Sequence, residues 1–277
     1  MADEKIIAHN RARWNDLAAA RFLCTRAKTN RTAEQLRAQF ENDAFLGSVA
    51  GRDVLCLAGG GGFQSAAFAL LGARVTVADF CAAQLEQDHI AARHFGVTIQ
   101  TIQADMRDLA VLKNRSFDLV HQPYSINYVP SVTPVFDEVA RVLRPGGLYS
   151  FQFHNPFRSG AWLGSTWNDE IAPERLWLGV GYPLRYPYRE GSRLEPERTH
   201  WDIHDADGTV RKVEAPWEYL HTLGAVLNGL IQHGLAIEGV REELADDPNA
   251  KPGTWDHFVA ISPPWITVGA RKIPSPR

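Results

Sequence analysis

Four glycines in a row, Gly59–Gly62, close the apolar run Val54-Leu55-Cys56-Leu57-Ala58. Residues without a Cβ let the backbone approach a ligand closely, and a helix beginning just beyond them offers free N–H groups to a carboxylate or phosphate. Consecutive glycines carry a heavy conformational-entropy cost, which argues against a bare strand-to-helix connection. Asp79 ends the next apolar run, twenty residues after Gly59. A carboxylate at that position takes the hydroxyls of a ribose; as an alternative, it caps the helix that begins near Cys81. The G-x-G-x-x-G fingerprint of dinucleotide proteins fails here, because its third glycine position falls on Gln64.

Ligands of open α/β sheets bind beyond the carboxyl ends of the strands. Tyr124 and Asn127 follow one predicted strand, His154 and Asn155 follow the next, and His221 is placed early in a helix that starts after Pro216. His154 and His221 are therefore candidate bases or substrate anchors, and Tyr124 a candidate hydrogen-bond partner. The alternative for any one of the ten histidines is a surface or hydrogen-bonded core residue. No H-E-x-x-H pattern or C-x-x-C pair occurs, so no metal is expected. Cys24, Cys56 and Cys81 are scattered and odd in number, as reduced thiols of a cytoplasmic protein would be.

The elements that must position these residues follow from periodicity. Helices are predicted at 5–22 and 32–43, the second with a capping-box spacing of Thr32 and Gln35. Strands at 54–58, 74–79, 97–103, 117–121 and 148–153 alternate with helices at 63–71, 81–94 and 131–143. That alternation defines βαβ units and a Rossmann-like, doubly wound α/β sheet. Gly72 closes the first of these helices, and Arg144-Pro145-Gly146-Gly147 separates the last from its strand. Beyond His154 the pattern stops. Residues 155–215 read as an inserted cap with strand-like pieces near 198–204 and 209–214 around the turn Asp205–Gly208. A helix at 216–233, a strand at 235–242 and a last strand at 254–262 would complete the sheet.

The cap holds Trp162, Trp167, Trp177, Tyr182, Tyr186, Tyr188 and Trp201, with Trp217 just after. Such rings either close a dry pocket over an apolar or cationic substrate or build the cap's own small core. Arg158, Arg175, Arg185 and Arg189 are solvated or meet a substrate carboxylate.

Apolar residues make up 45% of the 277 and charged residues 22%, ordinary values for a globular protein. A net charge of −3 with both signs interspersed gives no basic footprint for nucleic acid. No stretch approaches the roughly 20 apolar residues of a membrane span. The charged N-terminal segment shows no apolar signal core, which also points to the cytoplasm.

The set VLCLAGGGG, VTVADF, Ala104-Asp105-Met106, FDLVHQPYSINYV and RVLRPGGLYSFQF resembles the ordered motifs of class I S-adenosylmethionine-dependent methyltransferases, over about 50–155. The likeness is greatest to the small-molecule, ubiquinone/menaquinone group. It implies a mostly parallel seven-stranded sheet with the last strand antiparallel. It also implies N-terminal helices at 1–48 covering the cofactor, a core at 49–154, the cap at 155–215, and completion of the sheet at 216–277. Further, it implies that Ala58, Gly59, Gly60, Gly61 and Gly62 wrap the methionyl and sugar side of S-adenosylmethionine, and that Asp79 binds the ribose. Asp105 would accept from the adenine amino group, with Phe80 and Met106 on the ring faces. His121 and Gln122 would flank the methionyl part, and Trp14 would fold over the cofactor. The family usually carries an acid where this chain has Cys56, so the ammonium needs another acceptor, such as Gln122, a backbone carbonyl or an N-terminal residue.

The resemblance implies methyl transfer to a small-molecule acceptor, with S-adenosylhomocysteine as product. Oxygen, nitrogen, sulfur and carbon acceptors all stay open. A catalytically silent cofactor-binding scaffold and, further off, a nicotinamide-dependent oxidoreductase are the alternatives.

Overall fold

A computed structural model describes residues 2–20, 22, 25–41, 43, 45–157, 177–184, 186–194, 200–204 and 209–274. Cys24, Arg158, Trp162, Trp167, Arg175, Arg185 and the turn 205–208 lie outside the described residues.

The chain opens with α1 (Ala2–Ala19) and α2 (Ala33–Arg37), then runs β1 (Asp53–Leu57), α3 (Phe63–Leu70), β2 (Arg74–Asp79), α4 (Ala82–Phe95), β3 (Ile99–Gln103) and β4 (Phe117–Gln122). A 3-10 turn at Ser125–Tyr128 leads to α5 (Thr133–Val142) and β5 (Leu143–His154). There follow β6 (Ser192–Leu194), β7 (His200–His204), β8 (Val210–Glu214), β9 (Glu218–Leu220), α6 (Leu223–Gln232), β10 (Leu235–Glu242), α7 (Trp255–Ile261) and β11 (Trp265–Lys272). One seven-stranded sheet has the order β10-β11-β5-β4-β1-β2-β3, with β11 antiparallel to both neighbours. Strand order reverses between β1 and β4, the place where an open α/β sheet leaves a crevice.

Helices cover both faces of β1, which explains why its sequence is apolar without alternation. Leu55 and Leu57 join the cluster of Phe136, Val139 and Leu230 on one face; Val54 and Cys56 join Phe68 and Leu119 on the other. Gly62, at φ +67, is required by packing. A Cβ there would stand 2.7 Å from the Gln87 carbonyl and 2.8 Å from the Ala91 methyl, holding α3 off α4.

The two small ladders, β6–β9 and β7–β8, stand apart from the seven-stranded sheet. The hairpin β7–β8 brings Trp201 and Val213 against Leu17 of α1 and Phe22, so chain-distant segments share one small core. Asn10 of α1 donates to the carbonyls of Tyr128 and Trp217 at 3.0 and 3.1 Å and accepts from the Trp217 N–H.

Several boundaries differ from the sequence expectations. The helix expected over 32–43 ends after Arg37, its capping box intact; downstream, Asp43 accepts from the N–H groups of Phe45 and Leu46, a local alternative to helix. Arg144–Gly147 lies inside β5, spanning a register shift against β4, and does not precede the strand. The helix expected from 216 begins at Leu223. Glu218–Leu220 pairs with β6 instead, and the Thr222 hydroxyl caps α6 by accepting from Ala225. The last strand is not at 254–262. Thr254 caps a helix there, α7, and the strand comes after Pro263-Pro264, as β11.

Candidate active site

A cavity of about 730 Å³ lies along the carboxyl edge of the sheet. Ligand clefts typically enclose roughly 300–1,000 Å³. Its wall includes Ala58–Gly61, Asp79, Phe80, Asp105 and Met106 at one end and Tyr124, Glu218, Gln152 and Trp265 at the other, and Trp14 and Tyr128, in contact with each other, also line it.

Ala58, Gly60 and Gly61 hold positive φ values of 48, 61 and 69°. This left-handed path is open to glycine at little cost and turns the backbone toward the cavity. Gln84 of α4 stands behind the bend, its Oε1 accepting from the Gly61 N–H at 3.0 Å. Sequence reasoning missed Gln84, since a Gln in the first turn of a helix carries no ligand signal of its own. Gly62 does not line the cavity; its role is the α3–α4 approach.

Asp79 ends β2 and is buried, with Oδ1 accepting from the Cys81 N–H at 2.8 Å. It thus supports the start of α4 and also lines the cavity, so the two readings of this residue are compatible. Burial pushes its carboxyl up to about 7 against that hydrogen bond, and the charge of Asp88 adds to the rise. Asp105 accepts from the backbone and guanidinium of Arg107 at 2.9, 3.1 and 3.0 Å. A carboxylate has about four acceptor positions, so one stays available to a ligand. Trp14 meets Tyr128 and Trp201 edge-on at 5.1 and 6.0 Å.

His121 and Gln122 leave the cavity. His121 pairs in register with Cys56 and turns to the α3 face, where its ring meets Phe40 and Phe68 edge-on. Burial lowers its pKa to about 4, and its Nδ1 has no partner. Gln122, one residue on, faces the other side of the sheet. It donates to Met106 Sδ and Ser125 Oγ and accepts from Tyr149, fully buried below the cavity floor. Strand alternation forces both outcomes. Gln122 is therefore not placed to receive the cofactor's ammonium. Cys56 is buried in the apolar layer under α3. Near it lies a buried acid that sequence reasoning missed, Asp88, whose carboxyl burial also raises to about 7.

At the far end, Tyr124, His154 and Glu218 meet. The Tyr124 hydroxyl meets the His154 ring at Nε2 and, at 2.6 Å, at Nδ1, and it donates to Glu218 Oε2 at 3.1 Å; His154 Nε2 lies 2.7 Å from the same oxygen. His154 is 3% exposed, and Tyr124 and Glu218 line the cavity in front of it. The His154 N–H donates to Asn127 Oδ1, while the Asn127 amide donates to the Tyr219 carbonyl, so Asn127 orients the cluster. Glu218 escaped sequence reasoning because the β6–β9 pairing, not any local motif, delivers it.

His221 is fully buried, lies outside the cavity wall, and precedes α6. Its Nδ1 meets Glu190 Oε1 at 2.7 Å and its Nε2 the Ile126 carbonyl at 3.1 Å, which ties two loops together. Asn155 likewise bonds to the Pro263 carbonyl and the Phe157 N–H. Among the described cap aromatics, Trp201 lines the cavity. Trp177 and Tyr182 pack on His257, Tyr188 stacks on Phe157, and Trp217, just past the cap, stacks on His9. No group of three or more His, Cys, Asp or Glu able to hold a metal occurs among the described residues. No helix of the described residues is long and apolar enough to cross a membrane.

Known proteins of similar sequence and fold indicate the family. Residues 55–151 match the family described as the methyltransferase domain. The uncharacterized methyltransferase YbaJ of Bacillus subtilis is 35% identical over 195 residues, 70% of each chain. The demethylmenaquinone methyltransferase of Clavibacter sepedonicus is 38% identical over 101 residues, covering 36% of this chain and 40% of that protein. In fold, the chain resembles an S-adenosylmethionine-dependent methyltransferase from Mesorhizobium loti (TM-score 0.53, 22% identity, 88% of this chain and 99% of that one). It also resembles geranyl diphosphate C-methyltransferase from Streptomyces coelicolor (TM-score 0.54, 15% identity, 87% and 79%). The chain belongs to the class I S-adenosylmethionine-dependent methyltransferases.

Proposed function

We propose that this enzyme transfers the methyl group of S-adenosylmethionine to a small-molecule acceptor held in the same cavity, with Ala58–Gly61, Asp79, Phe80, Asp105, Met106 and Trp14 holding the donor. One observation carries the reading: a single chamber runs from the glycine bend and Asp79 to Tyr124 and Glu218. The residues fit the donor. The bend presents backbone where side chains are absent, Asp79 is a buried acceptor for ribose hydroxyls, and Asp105 keeps one acceptor position for an adenine amino group.

When bound, the donor supplies an electrophilic sulfonium methyl that a nucleophile displaces in line. The chain's part is to orient and desolvate. Fixing the acceptor in line is worth effective molarities of about 10⁵ M or more. Ile6, Ile7, Trp14, Tyr128, Val129 and Trp265 give the cavity apolar and aromatic walls suited to a ring-bearing acceptor. The relatives named for demethylmenaquinone and for ubiquinone biosynthesis support a small acceptor of that kind. Residues 1–48 and 155–215 act as a joint cover over a core of 49–154 and 216–277, a reading supported by the cluster of Leu17, Phe22, Trp201 and Val213. Buried free thiols at Cys56 and Cys81 support a reducing, cytoplasmic setting.

Titration calorimetry with S-adenosylmethionine and S-adenosylhomocysteine tests the proposal. Both bind, and Asp79→Ala weakens each by about tenfold or more, the cost of one buried charged hydrogen bond. Absence of binding at millimolar nucleotide would end it.

A further inference from the structure

We infer that Tyr124, with His154 and Glu218 behind it, takes the proton from the acceptor, and that the atom methylated is the oxygen of a phenolic or enolic hydroxyl. The inference rests on the methyl-transfer reading above.

Three elements distant in sequence deliver the three side chains to one point: the segment after β4, the end of β5, and β9. The same molecule contains a second histidine–carboxylate pair for comparison. His221 and Glu190 sit 2.7 Å apart, but neither lines the cavity, and the second ring nitrogen of His221 meets a backbone carbonyl. That pair is architecture. In the His154 cluster, by contrast, the phenol and the carboxylate form the cavity wall and the imidazole stands immediately behind them, its Nε2 meeting both Tyr124 and Glu218. A hydroxyl placed on Tyr124 would therefore touch a chain of exchangeable protons ending on a base.

Acceptor chemistry narrows the choice. A thiol, with a pKa of about 8.5, supplies thiolate from water, and a carboxylic acid is already ionised at neutral pH. A neutral amine attacks with its own lone pair and sheds its proton afterwards. A phenol near pKa 10 must lose its proton as it attacks, and it gains most from a positioned base. Glu218 at the wall also repels a carboxylate acceptor.

The step balances. The acceptor O–H bond breaks as its proton passes to Tyr124 Oη, and Tyr124 turns its own proton from Glu218 Oε2 to the His154 ring and gives it up there. The O–CH₃ bond forms while the S–CH₃ bond breaks, its electron pair staying on sulfur. The positive charge that leaves the sulfonium ends as imidazolium beside the Glu218 carboxylate. Tyr124 touches the acceptor; His154 acts through it, and Glu218 orients the ring and stabilises its charge.

Full-length protein with S-adenosylmethionine is given catechol, 4-nitrophenol, thiophenol and benzylamine near pH 8, with products read by mass spectrometry. Catechol is methylated, and Tyr124→Phe and His154→Gln lower its rate by about 100-fold, the worth of a general base. The rate with 4-nitrophenol, already ionised, falls less than about tenfold. Nucleotide binding by calorimetry stays within about twofold of wild type in both variants. Its absence in wild type would sink the methyl-transfer reading and this assignment with it, whereas intact binding with a catechol rate indifferent to Tyr124→Phe and His154→Gln would sink this assignment alone. Turnover of the thiol or amine, equal in wild type and Tyr124→Phe and without any phenol methylated, overturns the inference.

Nitrogen-15 NMR of the histidine rings decides even if no acceptor on the panel reacts. Glu218→Gln and Tyr124→Phe each move the His154 ring resonances while melting temperatures hold. Unchanged resonances in both variants overturn the inference.

Discussion

The Ser65 hydroxyl donates to Asp88 Oδ1 across 2.5 Å, while Oδ2 of the same carboxyl is buried without a partner. Asp88 lies behind the glycine bend, its Cα 3.0 Å from where a Gly62 Cβ would stand. Its charge raises the proton affinity of both Asp79 and Cys56. An acid is thus present close to the bend, although none occupies position 56.

Under the proposed function, the state of Asp79 sets a pH dependence for cofactor binding. Ribose hydroxyls donate to the ionised carboxyl, so binding favours the deprotonated form. With the free carboxyl near 7, affinity falls as pH drops through that value, by about tenfold between pH 8 and 6. Calorimetry across this range gives the slope, and Asp79→Asn flattens it. The sign for stability is opposite. A carboxyl raised from an ordinary 3.8 to about 7 stabilises the ligand-free fold at low pH, and that contribution is lost as pH rises through 7.

Removing the neighbouring charge shifts the same curve. Asp88→Asn removes one cause of the Asp79 rise, so the midpoint of the affinity profile moves to lower pH. An unmoved midpoint would show the two carboxyls to be uncoupled.

Glycines of the bend separate by role. Gly62→Ala forces a methyl against the Gln87 carbonyl and Ala91 at positive φ, and lowers stability by about 2–4 kcal/mol in denaturant unfolding. Gly59→Ala meets nothing nearer than 3.4 Å, and its unfolding midpoint stays close to wild type. Its effect appears in nucleotide affinity.

The two histidine–carboxylate pairs also part company. Glu190→Ala leaves the buried His221 Nδ1 without its partner and costs about 1–3 kcal/mol of stability, with kcat retained in the folded fraction. Urea unfolding together with the rate at saturating substrate distinguishes this from a catalytic role.

Local signals made the glycine-bend side of the cavity readable. The glycine run, Asp79, the Thr32–Gln35 capping box and the β7–β8 hairpin each depend on neighbours in sequence, and each stands where periodicity placed it. Positions that depend on long-range pairing did not show. Glu218 reaches the site through β6, and Asp88 is buried by α3. Strand phase carried His121 to the far face, because β4, with the mixed sequence Phe117-Asp118-Leu119-Val120-His121-Gln122 and both faces packed, does not declare which residue points where. Phe258-Val259-Ala260-Ile261 read as strand since a short apolar run has no decisive period; Thr254 and Asp256, the cap and first-turn acid, were the discriminating residues.

Because β11 runs against its neighbours, it starts at the cavity where the parallel strands end: Trp265 lies opposite His154, and Ile266 opposite Glu242 at the end of β10. The excursion 243–264 therefore leaves from the carboxyl edge of the sheet and returns to it beside His154. Lengthening or trading that excursion would retune which molecules are admitted while the nucleotide grip is left alone. It is a natural seam for diversifying this scaffold.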